Sequence, residues 1–199
     1  MKLYTTRRSP YARKVYVMAI EKGLKSQIQL EVIDLKDKPK ELYKYNPIGA
    51  VPTLVMDNNK GLYDSPVIAE YIDSLSKENR MIPKRGKKRF YVLKISATAD
   101  AMVEAAVKLF YEKAKGENAD AATLKKISDT LGRCCKLLNK EVKKFSKEVD
   151  MASIAVASAL GYINFRHADL GWQDKNEKLA EWFAEFSKRP SMKETEPRD

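Results

Sequence analysis

Strand signals stop near residue 80, and that break constrains the fold more than any other feature of the chain. Before it, strands and helices alternate. "KLYTT", "IQLEVI", "PTLVM" and a brief "LY" read as strands. "YARKVYVMAIEKG" reads as a helix closed by Gly23, and "KPKELYKYN" as a short helix that ends before Pro47. Ser65 and Pro66 open "VIAEYIDSL", whose Val67, Ile68, Tyr71, Ile72 and Leu75 fall in one stripe. After the break only helical periodicity remains. Two long helices are expected in "RFYVLKISATADAMVEAAVKLFYEKAKG" and "DAATLKKISDTLGRCCKLLNKEVKKFSK". A nearly all-apolar, buried one follows in "MASIAVASALGYINF", and a last amphipathic one, "NEKLAEWFAEFSKRP", stops before Pro190. The pattern predicts an α/β domain over residues 1–80 and an all-α domain over 85–199, with the boundary near "ENRMIPKRG".

Composition narrows the setting. With 44% hydrophobic residues in 199, the chain can bury a proper core. No run of about 18 apolar residues occurs, so no membrane span is expected. Arg7 and Arg8 interrupt any apolar signal segment at the start. The two cysteines, Cys134 and Cys135, are adjacent and poor disulfide partners, which points to a reducing, cytoplasmic location. One histidine, His167, and no spaced thiols leave no basis for a metal site. The net charge of +11 permits contact with nucleic acid, anionic lipid or an acidic protein. The basic residues are nevertheless spread over amphipathic helices, and "KRGKKR" has only Phe90 and Tyr91 beside it. Solubility is the favoured reading of the charge, and nucleic acid is not an expected partner.

Two Ser-Pro pairs carry the chemistry. Ser9-Pro10 and Ser65-Pro66 both stand where a helix begins, Pro at a position where its missing N–H costs nothing. Either serine can be a plain N-cap. Either can also face an anion, because a helix N-terminus presents free N–H groups and partial positive charge. Asp64 beside Ser65 suits a ligand that carries an ammonium as well as a carboxylate. In "NPIGAVPTLV", Val51-Pro52 leads straight into a strand; a cis bond there would turn the Val51 N–H and C=O sideways, free to pair with another peptide, whereas a trans bond would make an ordinary turn. Two such features together fit a small peptide with a free amino-acid head.

These stretches carry a resemblance. "SPYARKV…EKG", "NPIGAVPTLV", "DSPVIAEYID" and the late "RPSM" occur in the order and at the spacing of the glutathione transferases, along essentially the whole chain. "ADAMVEAAV" and "IAVASALGYINFR" are similar to the bacterial YibF-like type, and "LKDKPKELYKYNPIGAVP" to the omega type. The resemblance implies a thioredoxin-like N-terminal domain that binds glutathione and a helical C-terminal domain that forms the acceptor pocket and part of a homodimer interface. It implies a cytoplasmic detoxification enzyme, with glutathione as co-substrate and a small electrophile as acceptor. It gives Val51, beside cis-Pro52, the cysteinyl part of glutathione. It gives Asp64 and Ser65 the γ-glutamyl head, Lys38 the glycyl carboxylate, Tyr11 a place beside the sulfur, and Ser9 the catalytic position. The alternative it leaves open is a non-catalytic regulatory protein of the stringent starvation protein type, which binds RNA polymerase. One departure stands out: the helix near 150 opens with Asp150 and has Ser153 three residues on, the reverse of the usual pair, which puts that local hydrogen-bond network in question.

Overall fold

Four short strands make one mixed sheet in this computed structural model, which describes residues 1–145 and 147–199. The strands are β1 (Lys2–Thr5), β2 (Gln29–Val32), β3 (Thr53–Val55) and β4 (Gly61–Leu62), in the order β2-β1-β3-β4. β1 runs parallel to β2, with Lys2 opposite Gln29, and antiparallel to β3, with Leu3 opposite Leu54. A parallel pair needs a crossover, and α1 (Pro10–Glu21) supplies it. Leu3 and Leu54, on the central strands, are fully buried. β2 is an edge strand, so its alternating apolar residues Leu30 and Val32 stay exposed. Short α2 (Leu42–Tyr45) and α3 (Ser65–Ser74) complete this part of the chain.

A buried carboxylate ties the connecting segment down. Asp73, near the end of α3, accepts the backbone N–H groups of Met81 (2.8 Å) and Ile82 (3.2 Å) and pairs with the Lys22 ammonium at 3.0 Å. Both side chains are almost completely buried, so each offsets the other's desolvation. From there on the chain is helical: α4 (Lys87–Lys113), α5 (Ala121–Glu141), α6 (Met151–Arg166), α7 (Glu177–Phe186) and α8 (Pro190–Glu194). A thioredoxin-like α/β unit followed by an all-helical unit is therefore the observed architecture, as expected from the change of period.

α6 is the central post. Every residue from 151 to 160 is buried, because a helix that is apolar all round can only sit among others. It packs on both α4 and α1. Its reversed N-terminal pair closes a complete capping box: Ser153 N–H donates to Asp150 Oδ1 at 2.8 Å, and Asp150 N–H donates to Ser153 Oγ at 3.0 Å. The exchange of residue types thus preserves both bonds. Burial raises the Asp150 pKa, against the pull of the Ser153 bonds. Gly161 leaves room for the Arg13 guanidinium, which a Cβ at that position would strike.

The last amphipathic helix stops before Pro190 as expected, α7 ending at Phe186. The structure adds one element after it: that proline opens α8, with its ring in the first turn. α8 then docks on α1. Arg13 donates to the Met192 carbonyl at 3.0 Å and to Thr195 Oγ1 at 3.3 Å. A short helix of this kind has too few periodic residues to announce itself, and it is tertiary contact that holds it.

Candidate functional site

The loop of residues 46–53 is built around one buried side chain. Asn46, 1% exposed, donates from Nδ2 to Thr53 Oγ1 (2.8 Å) and to the Ala50 carbonyl (3.2 Å), and its Oδ1 accepts from Ile48 N–H at 3.0 Å. Thr53 Oγ1 in turn donates to Ala50 O at 2.7 Å. These bonds fix the loop from within and make no use of the Val51 backbone groups. The Val51–Pro52 bond is cis, and no hydrogen bond within the described chain uses the Val51 N–H or C=O.

Val51 borders a cleft of about 520 Å³ between the sheet-bearing half and α4. Tyr11, Pro52, Asp64 and Ser65 line the same cleft, so five of the residues singled out in the sequence converge. Ser65 is the first residue of α3, and its own N–H and that of Val67 lack intrahelical acceptors. Its hydroxyl forms no hydrogen bond within the described chain. Asp64, at the cap position, is exposed, and the Tyr63–Asp64 peptide is cis. The site thus offers one free peptide edge, one helix N-terminus and one carboxylate.

The opposite wall comes from α4: Ala97, Asp100, Ala101 and Glu104. The two alanines keep the cleft open, and the two acids lie one turn apart on the same face. Neither acid stands alone. Lys14, buried on α1, pairs with Asp100 at 2.6 Å, and Lys108 pairs with Glu104 at 2.7 Å. Burial, then the Glu104 and Asp100 charges, push the Tyr11 phenol up to about 12. Tyr11 is therefore a neutral hydroxyl at physiological pH, able to donate a hydrogen bond. Which α4 residues form the wall, and the role of Asn46, were not apparent from sequence; for Asn46 the "NP" pair, an Asn poised to bond to the backbone two residues on, was the one available hint.

Two expected residues lie outside this lining. Ser9 caps α1, its Oγ accepting from Ala12 N–H at 3.2 Å, and borders a separate hollow of about 210 Å³ with Thr6, Arg13 and Thr195. The cap uses an oxygen lone pair and leaves the hydroxyl proton available. Lys38 is half-buried in the segment between β2 and α2 and lines neither hollow. The cysteines are poor nucleophiles. Burial raises the Cys134 thiol and pushes Cys135 up to about 12. No group of three or more His, Cys, Asp or Glu among the described residues is placed to hold a metal ion, and no described helix is long and apolar enough to cross a membrane.

Known proteins share this sequence pattern and fold. Residues 8–75 match the glutathione S-transferase N-terminal domain family. The chain is 30% identical to the GST-like protein YibF of Escherichia coli (strain K12), over 99% of this chain and 98% of that protein. A stringent starvation protein A homolog of Histophilus somni is 26% identical over 80% of this chain and 73% of its own. Among solved structures, a glutathione transferase family member from Pseudomonas fluorescens Pf-5 is 36% identical. It superposes with a TM-score of 0.94 in its glutathione-bound form, covering 100% of this chain and 99% of that one. With bound S-(propanoic acid)-glutathione the same protein gives a TM-score of 0.92 over the whole of both chains. Full-length likeness at these identities, on a shared fold, makes the chain a member of the glutathione transferase family.

Proposed function

We propose that the chain is a glutathione transferase that binds glutathione in the cleft and delivers its thiolate to a small electrophile. The observation that carries this reading is the unpaired Val51 peptide beside the α3 N-terminus and Asp64. An extended peptide can add to the Val51 edge, an α-carboxylate can take the Ser65 hydroxyl and free N–H groups, and an ammonium can pair with Asp64. The glutathione held by the P. fluorescens relative supports the assignment. Lys38 would reach the glycyl carboxylate by movement of its flexible side chain. A free thiol has a pKa of about 8.5, so a donor and a helix N-terminus near the sulfur raise the thiolate fraction at neutral pH. Ser9 and Tyr11 are the donors on hand. The thiolate then forms a C–S bond as the acceptor's leaving group departs, or adds to an activated double bond whose carbon takes up a proton.

Residues 1–80 would hold glutathione and residues 85–199 the acceptor, in a cytoplasmic homodimer. Exposed Ile48, Val67 and Phe90, with Ala97 and Ala101 on α4, support a subunit interface near the cleft. A regulatory, non-catalytic role is the second reading, favoured by the likeness to the stringent starvation protein A homolog. A calorimetric glutathione titration separates them. Stoichiometric binding is the expected result, and no heat at millimolar glutathione would remove the transferase reading.

A further inference from the structure

Arg166, the last residue of α6, is held between two aromatic rings and a carboxylate. Its side chain is only 14% exposed. The guanidinium lies 4.1 Å from the ring centroid of Phe165 and 4.9 Å from that of Phe110, on α4. Stacking on two aromatic rings leaves its N–H edge as the free direction. That edge carries a carboxylate: Asp199 takes Arg166 NH2 at 2.6 Å and NH1 at 3.3 Å, and Arg8 approaches the same group at 3.5 Å. The carboxylate itself is 66% exposed, and Arg8 is 54% exposed. A fixed, largely buried cation therefore faces an anion on an exposed, replaceable side chain.

The position matters as much as the geometry. Arg8 immediately precedes Ser9. Tyr162 stands one turn before Arg166 on α6, where the Arg166 and Arg8 charges both act on its phenol. Tyr162 also acts on Tyr11, which lines the cleft. Tyr162, itself buried, thus lies between Tyr11 on the cleft and the Arg166–Arg8 pair. The cleft lining contains no Lys or Arg of its own.

We infer that Arg8 and Arg166 form a carboxylate-recognition fork at the far end of the acceptor pocket, in which Asp199 is an internal occupant that a carboxylate-bearing electrophile displaces. This rests on the glutathione transferase reading and names the acceptor class for it. With a carboxybenzyl halide, for example, the glutathione sulfur bonds to the benzylic carbon as the carbon–halogen bond breaks. Halide leaves with the electron pair, the thiol proton passes to solvent, and the carboxylate remains in the fork.

Binding of two conjugates to the full chain tests this without relying on turnover: S-(4-carboxybenzyl)glutathione and S-(4-carbamoylbenzyl)glutathione, titrated by calorimetry alongside glutathione. The wild-type protein should prefer the carboxylate by about threefold, since Asp199 competes for the fork. Asp199→Asn should widen the preference to about tenfold or more, the size of one charge-assisted contact. Arg166→Met should abolish the preference and leave carbamoyl affinity unchanged. Equal affinities for the two conjugates in both wild type and Asp199→Asn, with glutathione still bound, would overturn the fork and leave only a tail tether. If neither the conjugates nor glutathione bind, the glutathione reading itself falls and the fork falls with it.

Discussion

Arg189 grips Glu21 with two prongs, Nε at 2.9 Å from one carboxylate oxygen and a terminal nitrogen at 2.7 Å from the other. Ser191 donates to the same carboxylate. The pair fastens the start of α8 to the end of α1, across 168 residues of sequence. A planar guanidinium matches a carboxylate in this way, and a lysine would not.

Arg189→Ala should lower stability by about 1.5–3 kcal/mol, because it leaves the largely buried Glu21 without its main partner. The Arg189 hydrogen bonds hold Glu21 below its usual carboxylate range of 4.5. This contribution is therefore complete above that value and is lost as pH falls toward the lowered pKa of the folded state. Urea denaturation at pH 7 and pH 3.5 checks both points, and an equal loss at the two pH values would contradict the pairing.

Ser65→Ala should weaken glutathione binding by about 1.5–3 kcal/mol and leave saturated turnover nearly unchanged, since the side chain recognises the ligand and makes no bond in the reaction. Calorimetry with steady-state kinetics decides. A large fall in saturated turnover with unaltered binding would give Ser65 a different role.

Ser9→Ala should cost about 1 kcal/mol of stability, from the lost bond to Ala12 N–H. It should also lower turnover and move the activity–pH curve alkaline, because the bound thiol becomes less acidic. Full activity in this variant would make Ser9 a cap only. Ser9→Cys adds a second readout. At the α1 N-terminus its thiol should attack oxidised glutathione, forming one mixed disulfide per chain and releasing one glutathione. Mass spectrometry that finds the new thiol unmodified would count against the assignment.

His167 should make the fold acid-sensitive. Its Nε2 lies 2.8 Å from the Ala106 carbonyl, its Nδ1 has no partner, and burial lowers its pKa below 6.5. Between the lowered and the ordinary value the unfolded chain binds a proton that the folded chain does not, so stability falls as pH drops through about 6.5 toward the lowered value. His167→Gln should flatten that slope. As the only histidine, it also gives a single imidazole signal by NMR, and a titration midpoint at or above 6.5 would refute the prediction.

The order of elements and the places where helices begin follow from local signals in the chain. Gly23, Pro10 and Pro66 act within one turn of where they stand, and the apolar stripe of α3 or the all-apolar α6 is periodic over its own length. Such signals need no distant partner, so the strand–helix alternation of the first part and the purely helical remainder were legible. The convergence of Tyr11, Val51, Pro52, Asp64 and Ser65 was legible through the motifs they belong to. Tertiary structure decided the rest. It left Ser9 and Lys38 outside that lining and set Asp100 and Glu104 opposite it, each with a lysine of its own. It made a helix of 190–194 by docking it on α1, and it brought Arg8, Arg166 and Asp199 to one point. These outcomes depend on how helices pack and which side chains then meet. A contact between residues more than a hundred positions apart leaves no period or spacing in the chain, because its energy exists only once both elements are in place.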